Sequence, residues 1–160
     1  MHVFILCEDS YGSIFFKRFI KRLKNAGYLK INLNFGTDRL AGICNPKIER
    51  QIKANSHCNK IILIADAHGK SINEIESRLN LHIPEEFFNK VFKVVFPLEV
   101  EEWICLSLNI THLYDKPSKI LKHRIGYEKY KLQNFADSLD LSRLEKDQIF
   151  TRLLQILNDP

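Results

Sequence analysis

The sequence predicts an α/β domain: a mainly parallel four-stranded sheet flanked by helices, with a helical C-terminal extension. Three observations point there. Short apolar runs recur along the chain, at Val3-Phe4-Ile5-Leu6-Cys7, Ile61-Ile62-Leu63-Ile64-Ala65 and Val91-Phe92-Lys93-Val94-Val95-Phe96. Runs of this kind, without strict alternation, fit strands covered on both faces. Segments with apolar residues at helical spacing separate them. Finally, 160 residues that are 45% hydrophobic and 27% charged suit one domain burying its own core, and are too apolar for a disordered chain.

The first strand leads through Glu8-Asp9-Ser10-Tyr11-Gly12-Ser13 into a helix whose Ile14, Phe15, Phe16, Phe19, Ile20 and Leu23 share a face. Lys17, Arg18, Lys21, Arg22 and Lys24 fill the opposite face, and Asn25-Ala26-Gly27 supplies the stop. Ile31, Leu33 and Phe35 alternate with Lys30, Asn32 and Asn34, which predicts a half-exposed edge strand. Pro46 opens a helix carrying Ile48 and Ile52, and a buried strand follows over residues 60–65. It ends at Asp66-Ala67-His68-Gly69. Ser71 with Glu74 reads as the capping box of a helix reaching about Leu81. The fourth strand stops at Pro97, residues 99–108 read as a helix, and residues 116–157 are mostly helical by pattern. No repeat or linker interrupts the chain. It reads as a single domain, 1–160, with a core of about 1–110 and a helical extension of about 111–160.

With 24 Lys and Arg against 19 Asp and Glu, the net charge is +5, a balance that permits a polyanionic partner. Cys7, Cys44, Cys58 and Cys105 form no close pair, which argues against a zinc ribbon; three of the four have apolar neighbours and read as reduced packing residues. No apolar stretch approaches the ~20 residues of a membrane span, and the start lacks the features of a secretory signal. A cytoplasmic protein without membrane contact is the expectation.

Acids follow three of the four predicted strands: Glu8 and Asp9 the first, Asp66 the third, and Glu99, Glu101 and Glu102 the fourth. Open parallel sheets bind ligands beyond the carboxyl ends of their strands. If the first and third strands are neighbours, Glu8 and Asp66 meet there, and Glu99 or Glu101 adds another carboxylate. Carboxylates held so close repel unless a proton or cation separates them. Oxygen donors without thiolates suit Mg²⁺ or Mn²⁺. The competing reading is structural, because an acid after a strand often caps the next helix.

At these residues the sequence resembles the Toprim domain, the catalytic fold of type IA and type II topoisomerases, bacterial primases and several nucleases. That fold carries a glutamate after its first strand, matched by Glu8 in Phe4-Ile5-Leu6-Cys7-Glu8-Asp9. It also carries an Asp-x-Asp after its third strand, matched at Asp66 in Ile62-Leu63-Ile64-Ala65-Asp66-Ala67-His68. His68 stands where the second aspartate would be, and Asp9 where a glycine often follows the glutamate. The chain is similar to small stand-alone Toprim-like proteins of prokaryotes, whose Glu-x-Glu-x-Trp signature reads Glu99-Val100-Glu101-Glu102-Trp103 here. Their tail motifs correspond to Tyr127-Glu128-Lys129, Leu139-Asp140-Leu141 and Phe150.

The resemblance implies Mg²⁺- or Mn²⁺-dependent chemistry on the phosphodiesters of nucleic acid, as a nuclease or processing protein in defence or repair. Glu8, Asp66, Glu99 and Glu101 would hold the ion, and Glu8, Asp66 and His68 would form the catalytic set. An imidazole can bind Mn²⁺ or move a proton near neutral pH. Strand passage or priming would need domains beyond these 160 residues, and no tyrosine, Tyr11 included, is assigned as a covalent nucleophile.

Lys17 and Lys21 on the first helix, with Lys119, Lys122, Arg124 and Lys129 in the tail, are the candidate phosphate contacts for DNA or RNA. Tyr127 and Tyr130 are the candidates for stacking on bases. Solvated charge and internal packing are the competing readings. Trp103 reads as core. On the last helix Phe150, Leu153, Leu154 and Leu157 could pair two copies into a homodimer or larger complex. A receiver domain phosphorylated at Asp66 would also have acids after its first and third strands. It needs a Ser or Thr after the fourth, where Pro97-Leu98-Glu99 stands. A non-catalytic adaptor that binds nucleic acid or a partner is the third reading.

Overall fold

Alternation along the first strand, β1 (His2–Cys7), sends Val3, Ile5 and Cys7 into one core and Phe4 and Leu6 toward another. Helices must therefore cover both faces of its sheet. The computed structural model describes residues 1–113 and 115–160 and shows that arrangement. Its four strands, β1, β2 (Asn34–Arg39), β3 (Lys60–Asp66) and β4 (Val91–Phe96), run parallel in the order β2-β1-β3-β4. Every residue of β3 is buried, in keeping with its continuous apolar sequence. This is the expected Rossmann-like α/β fold.

One face packs on α1 (Ser10–Asn25) and α4 (Glu102–Leu108), the other on α2 (Lys47–Ala54) and α3 (Ile72–Asn80). Asp9 caps α1 by accepting the Gly12 N–H at 2.6 Å. Ser71 occupies the N-cap of α3, although its hydroxyl makes no capping bond.

The remaining helices are α5 (Pro117–Ile125), α6 (Leu132–Phe135), α7 (Leu141–Leu144) and α8 (Gln148–Asn158), with a 3-10 turn at Lys129–Lys131. They are not an appendage to a finished core. Leu121, Leu132, Leu144, Phe150 and Leu153 share the first core with Phe15, Phe19 and Trp103. Trp103 meets Phe96 at 4.9 Å between ring centroids, Phe19 at 5.3 Å and Phe150 at 5.8 Å. Its Nε1–H donates to Asp147 at 3.0 Å, and Asp147 also caps α8 through the Phe150 N–H at 2.8 Å. Lys60, 5% exposed, reaches the far end of α8 and donates to the carbonyls of Ile156 and Asp159 at 2.9 and 2.6 Å.

Three expectations change. The edge strand begins at Asn34 rather than near Ile31, because pairing with β1 sets its register from His2↔Asn34 to Cys7↔Arg39. Leu33 instead plugs the first core as a lead-in. Gly36 lies opposite Phe4, where an added Cβ would come within 2.7 Å of the ring, so β2 carries little apolar signal of its own. The helix after β4 starts at Glu102, not residue 99, and residues 99–101 form a tight turn. Phe150, Leu153 and Leu157 are fully buried within the chain, so they cannot form the pairing face expected for a homodimer. They cover α1 and the sheet instead.

Candidate functional site

Four parallel strands discharge their carboxyl ends along one edge, and the order β2-β1-β3-β4 makes the junction of β1 and β3 the switch point. Cys7 pairs with Ile64, so Glu8 and Asp66 leave adjacent strands at nearly the same level. The turn after β3 is laced to the turn after β4 by three backbone hydrogen bonds: Ala67 N–H to Phe96 O at 2.8 Å, His68 N–H to Leu98 O at 3.0 Å, and Gly69 N–H to Pro97 O at 2.9 Å. That lacing holds His68 in the left-handed region, at φ 50°, a conformation that costs a non-glycine residue about 1 kcal/mol or more. Its Nε2 consequently stands 3.9 Å from Glu8 Oε2.

Ligand atoms of Glu8, Asp66 and His68 all lie within 4.8 Å of one another. They open into a cavity of about 530 Å³, also lined by Asp9, Glu99, Glu101, Ser118, Lys119, Lys122, Tyr127, Glu128 and Lys129. Asp66 is 9% exposed and accepts the Val100 N–H at 3.1 Å. Burial pushes its carboxyl well above the usual range; Lys129 opposes the rise, while Glu8, Glu101 and Glu99 add to it. Glu8 is raised by burial and by Asp9, against a backbone hydrogen bond at Asp66 and the Lys129 charge. Both acids resist ionisation chiefly because they are buried, with the neighbouring carboxylates adding to the effect and Lys129 opposing it.

Glu99 and Glu101 line the same cavity but lie outside that close group. Glu99 Oε2 accepts the Ser118 N–H at 2.9 Å and so ties the loop after β4 to the first turn of α5. Glu101 is wholly buried, and its Oε1 accepts from both the Tyr127 hydroxyl and the Lys129 ammonium at 2.8 Å. Lys129 also lies 3.4 Å from Asp9. Burial works against its charge, but Glu101, Asp9 and Asp66 raise its pKa above the ordinary lysine value.

The candidate phosphate contacts divide. Lys119, Lys122 and Lys129 line the cavity, whereas Lys17, Lys21 and Arg124 are exposed but do not. The α1 arginines serve the tail: Arg22 donates to the carbonyls of Ala136 and Leu139 at 3.2 and 2.6 Å. Tyr127 is buried, its ring against Phe135 and its hydroxyl on Glu101, and so is not free to stack on a base. Tyr130 is 55% exposed. What sequence reasoning missed is the use of Tyr127 and Lys129 as partners of Glu101, a contact across 26 and 28 residues of chain that no local signal announces.

Cys7 lies beneath the acids with its thiol held protonated by burial and by the charges of Asp9, Asp66 and Glu8, which removes it as a nucleophile. Fold and site together define an α/β protein with an acid-rich crevice at the switch point of a parallel sheet. No protein family, curated protein or solved structure matches the chain. Among the described residues no helix is long and apolar enough to cross a membrane.

Proposed function

We propose that the chain is a Toprim-like protein that carries out Mg²⁺- or Mn²⁺-dependent phosphodiester chemistry on DNA or RNA, in its simplest form as a nuclease. The observation that carries this reading is the approach of Glu8, Asp66 and His68 to within 4.8 Å at the carboxyl edge of the sheet. A carboxylate pair with an imidazole is an acceptable donor set for Mn²⁺ and, through its oxygens, for Mg²⁺. A bound divalent ion would neutralise nonbridging phosphate oxygens and activate a water.

The chain's own groups do the rest. Asp66 is fixed by the Val100 N–H and supplies an oriented carboxylate. Glu8, half-buried with a raised carboxyl, would hold the ion or instead accept a proton from an attacking water. Where the carboxylates alone hold the ion, His68, exposed and 3.9 Å from Glu8, would instead be free to relay a proton toward solvent. Lys119 and Lys122 at the cavity wall orient a phosphate backbone as it enters.

Calorimetric titration with Mn²⁺ tests the site: wild type should bind at micromolar to millimolar affinity, and Glu8→Gln/Asp66→Asn should not. Equal heats from both proteins reject it. Single-stranded, duplex and structured DNA and RNA at low salt should then be cut only with metal. Substrates left intact under Mg²⁺ and Mn²⁺ would favour the adaptor reading. A mass gain from a small phosphodonor, abolished by Asp66→Ala, would favour the phosphoacceptor one.

A further inference from the structure

Lys129 differs from the other lysines of the cavity because its ammonium lies among the acids. Its Nζ donates to Glu101 Oε1 at 2.8 Å and stands 3.4 Å from Asp9 Oδ2. Glu101 is 0% exposed, and its second oxygen, Oε2, is buried without a hydrogen-bond partner among the described residues. Glu101 lines the cavity that Glu8, Asp66 and His68 line, yet lies outside their 4.8 Å group. The acids therefore fall into two sets, one gathered around a place for an ion and one bridged by a lysine. A fully buried carboxylate is stable in its charged form only beside a positive charge, which the Lys129 ammonium supplies at 2.8 Å.

The chain carrying that charge is held in place. Gly126 leaves α5 in the left-handed region, at φ 63°. The Lys131 ammonium returns to the Gly126 carbonyl at 2.8 Å, and the Tyr127 hydroxyl shares the Glu101 oxygen with Lys129. Resting on the metal reading of the site, we infer that Lys129 is a tethered cation that fills the place of a second divalent ion. The cavity then loads one ion, at Glu8, Asp66 and His68, and keeps Lys129 as its other positive charge. A tethered ammonium needs no loading from solution, and at 37% side-chain exposure it can still meet an incoming phosphate oxygen.

The test is a Mn²⁺ titration by calorimetry on the chelator-stripped full chain, comparing wild type, Lys129→Met and Lys129→Arg. The expected stoichiometry is one ion for wild type and for Lys129→Arg, and two for Lys129→Met. Two ions in wild type, or one in Lys129→Met, overturns the inference while the metal reading stands. No ion in wild type overturns both readings, whatever Lys129→Met binds. Removing the ammonium strands Glu101, so each protein is also melted with and without Mn²⁺. Lys129→Met should melt roughly 5–15 °C lower in chelator, and saturating Mn²⁺ should restore most of that loss. A variant that Mn²⁺ fails to restore, or that does not fold with Mn²⁺ present, overturns the inference.

Discussion

Glu99 Oε2 accepts the backbone N–H of Ser118 at 2.9 Å, so a carboxylate from the loop after β4 caps a helix that begins well along the tail. That bond closes one wall of the cavity, since Ser118, Lys119 and Lys122 lie beside it along α5. Glu99→Ala should lower unfolding free energy by about 0.5–2 kcal/mol, the usual cost of a lost cap. Glu99→Gln keeps an acceptor and should lose less than half as much. Urea denaturation of both variants checks this, and equal losses would show that charge, not capping, is the role.

Glu102 gives a pH signature. Burial raises its carboxyl to about 7, with the Asp147 and Glu99 charges adding to burial and the Leu98 N–H opposing it. A folded pKa above the unfolded one means that the folded state favours the proton. The resulting stability is complete below pH ~4.5 and declines as pH rises toward ~7. Glu102→Gln should therefore melt higher than wild type at pH 8 and close to it at pH 4.5. Melting curves across that interval decide the matter.

On the metal reading proposed above, an ion should act most strongly where the protons on Glu8 and Asp66 are gone. Glu8 and Asp66 are both raised chiefly by burial, so an ion must displace protons to bind. The rise in Tm on adding saturating Mn²⁺ should be larger at pH 8 than at pH 5.5, and chelator should reverse it. A shift independent of pH would place the ion elsewhere.

The tail is expected to unfold with the core rather than before it. Phe150 is wholly buried, 5.8 Å from Trp103 between ring centroids, and Phe150→Ala should cost about 3–5 kcal/mol. Trp103 is the only tryptophan, so its fluorescence reports on this packing directly. Coincident fluorescence and far-ultraviolet transitions in wild type are the expected result; a separate early fluorescence step would make the tail an independent unit.

At the opposite edge, Lys60→Met should cost about 1–3 kcal/mol, because it leaves the carbonyls of Ile156 and Asp159 without their buried donor. Guanidinium denaturation measures it. A loss within error would mean that water replaces the ammonium there.

The positions of Glu8 and Asp66 are legible in the sequence because continuous apolar runs mark β1 and β3, and a parallel sheet brings the residues at the ends of such runs to one edge. Strand β2 is less legible: of its Gly36, Thr37, Asp38 and Arg39 only Thr37 favours a strand, and pairing to β1, together with the Ser13–Thr37 hydroxyl contact, orders them. The engagement of Glu101 by Tyr127 and Lys129 could not be read, since nothing local to Tyr127-Glu128-Lys129 says that α5 folds back over the end of β4. The buried face of α8 misled for a related reason. An amphipathic helix shows that it needs a partner, not whether that partner is its own chain.

The left-handed turn at residue 68 acts as a filter on chemistry. With the backbone laced at Ala67, His68 and Gly69, β-branched and bulky aliphatic side chains are penalised there, whereas glycine, asparagine, aspartate and histidine are tolerated. All of these except glycine carry a group able to accept a hydrogen bond or ligate a cation. Sequence variation at this position, whether natural or selected in a library, is therefore steered toward polar substituents above Glu8 by geometry, before any selection for activity operates.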